Sequence, residues 1–435
     1  MASCNRFNVS CNSKLLAKEI RMSEVKSYGD AYYSMTWMGP SGYPEGGNSG
    51  RCYFTGLLGM FRLHGESDVL FADGTSGDGF SFRWSPVWGA PAFNGGAGAF
   101  HEIWEYTPQA LGYRGHWEQD HEGGFEEAFA KLRALVDRGV PVQIGLHYSL
   151  MLPYGAKTSP RLKFQHETMG KTGFGHHVVI AGYDLDRGTI TIFEPNDILP
   201  HARYEAPIEV FRQAWKQSSQ RGPNGYQAWE HHHPFGGEWS LHDGYGPYLM
   251  VWVEPERDPE WDIAKSIRHS FRRNLKILSG DYPKPYALFG NQWQIPHFET
   301  GAPGMAVFAA RIRRGEVKDT VAPNGNAIPL FVRGNIPNHG VLGRAGAAGY
   351  LRRVANEMGV RGLATAAVAS AAEHMQASSD LFRALRYEAD LLKAGELLSQ
   401  IADHELAALD AMTKAWSDVK TITENAPKLQ GMAAE

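Results

Sequence analysis

Apolar side chains recur at helical spacing in some stretches of the chain and alternate with polar ones in others. Over residues 53–64 they fall at Phe54, Leu57, Leu58 and Phe61, the pattern of a helix with one buried face, closed by Gly65. Gly56 and Gly59 each cost about 1 kcal/mol relative to alanine there, which is tolerable where another backbone packs closely. Residues 125–138 form a second amphipathic helix, with Phe125, Phe129, Leu132, Leu135 and Val136 on one side and a break at Gly139. Strands are expected over 142–148 and 248–253. Two more, 177–183 and 189–193, are joined by Asp184-Leu-Asp-Arg-Gly188, a hairpin turn by composition. Residues 72–98, rich in glycine and aromatics, read as a long ordered loop, and 153–175 as a polar insertion.

Beyond residue 262 the pattern changes. Helices are expected over 263–278, 304–314 and 343–358 and through an alanine-rich run at 363–412, with 279–303 as connection. The 435 residues are about three times a ~150-residue domain. The expected organisation is an N-terminal extension (1–40), a catalytic domain (41–258) and a mostly helical C-terminal domain (259–435).

Composition narrows the classes. Hydrophobic residues at 43% and charged residues at 21% describe a folded chain. With 43 basic and 47 acidic residues there is no basic excess to hold a nucleic acid. No apolar run approaches the ~18–20 residues that cross a bilayer, so no membrane partner is expected. The first residues lack a secretory pattern, and Cys4, Cys11 and Cys52 make no disulfide framework, so a reduced, cytoplasmic protein is expected.

The sharpest chemistry is a cysteine at a helix start followed much later by a histidine at a strand start. Unpaired N–H groups and the helix dipole at Cys52 favour the nucleophilic thiolate form. His177 follows 125 residues on, close to the ~130–150 spacing of papain-like enzymes. With the hairpin turn centred near Asp186, His177 faces position 195, and Glu194 and Asn196 become candidates to orient its imidazole. A one-residue slip would change which of them faces inward. The plainer reading makes Cys52 a small buried hydrophobe, His177 a core histidine with His176 its exposed neighbour, and Glu194-Pro-Asn a turn. The Cys52 N–H, with Asn48 four residues ahead, is the candidate oxyanion site.

No metal or other cofactor is expected. His231-His-His233 point in alternate directions along an extended chain, and Gly74-Thr-Ser-Gly-Asp-Gly79 lacks the lysine of a phosphate loop. The arginine pairs Arg272-Arg273, Arg313-Arg314 and Arg352-Arg353 read as solvated helix faces; sharing one groove, they would suit an acidic carrier.

Residues 51–71, the strand beginning His177-Val-Val-Ile-Ala-Gly-Tyr-Asp184 and the dipeptide Glu194-Pro195 resemble the butirosin-biosynthesis BtrH-type N-terminal domain within the wider papain-like and C39-like group. Stretches in the tail, among them 304–311, 349–358 and 401–409, resemble the helical domain that commonly follows it. This chain has Arg51 where that family commonly has histidine, and Glu194 where it usually has aspartate. The resemblance implies an α+β papain-like fold with a helical C-terminal domain. It also implies acyl transfer: from an acyl carrier protein or small acyl thioester to Cys52, then to an amine-bearing small molecule, giving an amide in a specialised metabolite. The Trp-rich segment 80–104 would shield that acceptor from water. Hydrolysis of an amide or peptide, and a non-catalytic binding protein keeping the fold, are the alternatives.

Overall fold

The computed structural model describes residues 52–66, 69–85, 90–92, 100–119, 121–169, 175–195, 203–216, 247–281, 287–288, 291–292, 299–316, 320–321, 327–328, 336–385, 388 and 390–425. Asn48, Asn196 and the His231–His233 run lie outside them.

A six-stranded antiparallel sheet organises the first half. Two short strands, β1 (Arg83–Ser85) and β2 (Ala90–Ala92), precede its members: β3 (Gly115–Glu118), β4 (Val142–His147), β5 (Gly175–Asp184), β6 (Thr189–Phe193), β7 (Arg203–Pro207) and β8 (Met250–Val253). The spatial order is β3-β8-β4-β5-β6-β7. The helices around it are α1 (Cys52–Leu63), α2 (Val69–Ser76), α3 (Phe100–Ala110), α4 (Gly124–Asp137), α5 (Pro160–Met169) and α6 (Ile208–Lys216).

Alternation along the strands divides the sheet into two faces. Val142, Ile144, Leu146, Val178, Ile180, Ile190 and Ile192 pack with Phe125, Phe129 and Leu132 of α4 and Phe211 and Trp215 of α6. Val179, Phe193, Val251 and Val253 belong to the other core, with Phe54, Leu57, Leu58 and Phe61 of α1. At Gly56 the close neighbour is a side chain rather than the backbone anticipated: a Cβ there would lie 2.3 Å from Gln143 Oε1.

The chain then continues as α7 (Ile263–Ser279), β9 (Glu299–Thr300, paired with β1), α8 (Gly301–Arg313), α9 (Ile336–Val360), α10 (Ala366–Leu385) and α11 (Leu391–Val419). The alanine-rich run is thus two helices, and the Asp390 side chain caps the second by accepting from Leu392 N and Lys393 N. The core holding α1 extends without a break through Phe271 of α7, Tyr350 and Val354 of α9, Met375 of α10 and Met412 of α11.

The stretch that reads as a loop begins inside α2, which takes in residues 72–76, and residues 71–82 are all buried. Its small residues permit close contact, because a Cβ on Gly74 would sit 2.0 Å from Tyr350 Cβ. Phe71 stacks on Tyr350 at 5.5 Å. Asn274 Nδ2 and Arg273 Nη1 of α7 donate to Gly74 O (2.9 Å) and Ser76 O (2.6 Å), placing a cation at the C-terminal end of α2. A buried ion pair ties α9 to α11: Arg344 donates to both Glu405 oxygens (2.7 and 3.0 Å) and, through Nη1, to Ser81 O (2.9 Å). Ser378 Oγ of α10 donates to Glu405 as well. Among the described residues no helix is long and apolar enough to cross a membrane.

Candidate active site

Cys52 is the first residue of α1 and is buried. It meets an imidazole of β5, and that imidazole belongs to His176. His176 hydrogen bonds to Cys52 and to Glu194, whose carboxylate lies just past the end of β6. Its Nε2 is 2.9 Å from Glu194 Oε1 and 3.0 Å from Oε2, which leaves Nδ1 for the sulfur. His176 and Glu194 are both buried.

His177, expected in this place, is turned to the other side of the strand. Gln143 Nε2 of β4 donates to its Nδ1 at 3.1 Å, and its ring lies 5.8 Å from Trp104 of α3. The reason is strand parity. At this end of the hairpin Val179 pairs with Phe193 and Ile180 with Ile192, the register anticipated, with a bulge only between Ile180 and Gly182. Continued, that register sets Glu194 opposite Val178, so its same-face diagonal neighbour is His176. Reading the neighbours of position 195 as partners of His177 crosses from one face to the other. The same parity argument, applied to Glu194 rather than to position 195, finds His176 from sequence.

The two adjacent imidazoles have opposite electrostatics. Burial alone would push His176 down, but the Glu194 charge, then Cys52 and the hydrogen bonds to both, raise it to about 10. Burial, followed by repulsion from His176, lowers His177 to about 3. At neutral pH His176 holds the proton and His177 is a neutral acceptor for Gln143.

Tyr148, immediately after β4, is not marked out by the sequence pattern. Its hydroxyl donates to Glu194 Oε2, and its ring centroid lies 4.3 Å from that of His176. Tyr204 of β7 is buried nearby; burial, and then the Glu194 charge, raise its pKa well above the usual phenol value. His147, the last residue of β4, is also buried, and burial lowers its pKa. Of the arginine pairs, Arg273 is buried against α2 and Tyr106, whereas Arg314 and Arg353 pair with Glu316 and Glu357. Most of segment 80–104 falls outside the described side chains, although Phe80, Phe82, Ile103 and Trp104 are buried.

A family model described as the Peptidase_C39 like family matches residues 91–223. The matched stretch carries β4, β5 and β6, and with them Gln143, His176, His177 and Glu194; Cys52 lies ahead of it. Among curated proteins no relative matches the chain. The similarity, on a mixed α+β framework with an antiparallel sheet, supports a papain-like cysteine enzyme.

Proposed function

We propose that the chain is a cysteine-nucleophile acyltransferase that makes an amide from an acyl thioester and an amine. The observation that carries this reading is the continuous set of contacts from Cys52 through His176 to Glu194. Cys52 sulfur attacks the thioester carbonyl, and His176 gives its proton to the departing thiol. The acyl group is then held as a thioester on Cys52. An amine attacks the same carbonyl, its proton passes to His176, a C–N bond forms and the C–S bond breaks, returning the cysteine. Glu194 holds the ring with Nδ1 toward the sulfur and stabilises the imidazolium. The Cys52 N–H, at the N-terminal end of α1, is the proposed donor to the developing oxyanion, with Asn48 as candidate second donor.

The choice of acyl transfer rests on the resemblance of residues 51–71 and of the helical tail to the BtrH-type arrangement. An acyl carrier protein is the proposed natural source of the thioester, and the proposed setting is specialised metabolism in the cytoplasm. The peptidase-like match favours a second reading, in which water replaces the amine and the enzyme is an amide hydrolase.

The test is intact-mass analysis after mixing the protein with an N-acetylcysteamine acyl thioester. Wild type is expected to gain one acyl mass and Cys52→Ala none. Added amine should convert that adduct into an amide of matching mass. Equal acylation of Cys52→Ala would end the proposal, and release of free acid alone at every amine concentration would favour the hydrolase.

A further inference from the structure

Glu194 is one methylene longer than the aspartate usual in the family this chain resembles. Its carboxylate therefore has one more rotatable bond to fix in a site that is almost fully buried, at 1% exposure. A buried carboxylate tends to take up a proton unless hydrogen bonds hold its ionised form. His176 supplies one such bond through Nε2, shared between the two oxygens. Tyr148 supplies another, donating from its hydroxyl to Oε2. The Tyr148 ring also lies against the His176 ring, at 4.3 Å and 49°. One side chain thus touches both members of the pair. It is set there by the end of β4, because Tyr148 opens the short 3-10 turn that follows His147. Among the described residues, His176, Tyr148 and Tyr204 are titratable groups that act on or are acted on by this carboxylate, and Cys52 acts on His176.

Resting on the acyl-enzyme reading, we propose that Tyr148 is a positioning residue that keeps Glu194 ionised and aimed at His176, and so sets the acid limit of Cys52 reactivity. Its hydroxyl fixes the extra torsion of the longer acid. When that bond is absent, Glu194 takes up a proton at higher pH, its grip on His176 Nε2 loosens, and the ring is no longer held toward Cys52, so alkylation falls off at a higher pH. No bond is made or broken by Tyr148 itself.

The experiment is the rate of Cys52 alkylation by iodoacetamide between pH 3 and pH 10, read by intact mass. It compares wild type, Tyr148→Phe, Glu194→Gln and the double variant. Phenylalanine keeps the ring on His176 and removes only the hydroxyl. The acid-side midpoint is expected to rise by about one pH unit in Tyr148→Phe, the tenfold effect of one hydrogen bond to a charged acceptor. In the Glu194→Gln background the same change should move the midpoint by less than about 0.3 unit (a twofold effect), because there is no longer a carboxylate to hold. A uniform loss of rate at every pH, an unmoved midpoint, or the same shift in the Glu194→Gln background would each overturn the inference. Wild-type Cys52 that reacts no faster than free cysteine at any pH would instead remove the acyl-enzyme reading, and the inference with it.

Discussion

His176 and His177 are consecutive residues of β5, yet the first bonds Glu194 at 2.9 Å and is raised to about 10, while the second accepts from Gln143 at 3.1 Å and is lowered to about 3. The pleat sends one imidazole to each face, and the charge of the first helps keep the second neutral. Removing them should therefore have separable effects. His176→Ala is expected to slow acylation of Cys52 by roughly 100- to 10,000-fold, the range for loss of a positioned general acid–base group. His177→Ala should slow it by less than about tenfold and lower stability by about 1–3 kcal/mol, because the buried Gln143 amide loses its acceptor. Stopped-time mass labelling and urea unfolding distinguish the two. Equal kinetic losses would show that strand parity does not divide their roles.

The same pair predicts how stability depends on pH. A raised folded-state value means that the contribution of His176 is fully present below about 6.5 and is lost as pH rises through about 10. A lowered value means that the contribution of His177 is present above about 6.5 and is lost as pH falls toward about 3. Melting temperature measured from pH 4 to pH 10 should fall on both sides of neutrality. His177→Gln should flatten the acid side, and Glu194→Gln the alkaline side. Unchanged slopes in both variants would contradict these assignments.

Two glycines can be ranked by what they would strike. A methyl on Gly74 would meet Tyr350 Cβ at 2.0 Å, whereas one on Gly56 would meet the far end of Gln143 at 2.3 Å. Tyr350 is fixed by a 2.6 Å hydrogen bond to Ser270 and by the Phe71 stack, while the Gln143 amide has torsions to turn. Gly74→Ala should therefore cost more than about 3 kcal/mol, and Gly56→Ala about 1–3 kcal/mol. Chemical denaturation gives the order, and the reverse order would show that the Gln143–His177 contact is the stiffer one.

At the Arg344–Glu405 pair, loss of one partner strands a buried charge. Arg344→Met or Glu405→Leu alone should destabilise by about 3–5 kcal/mol. The double replacement Arg344→Met with Glu405→Leu should recover much of that loss, since two apolar residues leave no charge behind. A double-mutant cycle by thermal melting checks this, and simple additivity would contradict it.

Much of this architecture is legible in the chain. The apolar positions of α1 and α4, the alternation of β5 and β6 and the turn between them lie where spacing puts them, because each depends on local periodicity. Cys52 and Glu194 stand out for their chemistry. His176 does not, because adjacent histidines look alike until the face is known, and counting from Pro195 rather than from Glu194 selects the wrong face. Tyr148 and Gln143 are invisible for another reason: their importance comes from side-chain contacts 46 and 34 residues away in sequence. Residues 72–76 mislead because a helical glycine that admits Tyr350 resembles a glycine of an ordered loop, whereas 77–82 do run as bend and short turn.

A minimal enzyme would commonly be sought by trimming the helices after residue 262. Here Tyr350, Val354 and Met375 fill the same apolar interior as Phe54 and Phe61, and Arg344 grips the backbone at Ser81. A fragment ending after β8 would leave that interior open to water behind the cysteine's own helix. The helices after residue 262 therefore complete the wall that seats the cysteine's helix, and a change made far downstream reaches α1 through that shared packing.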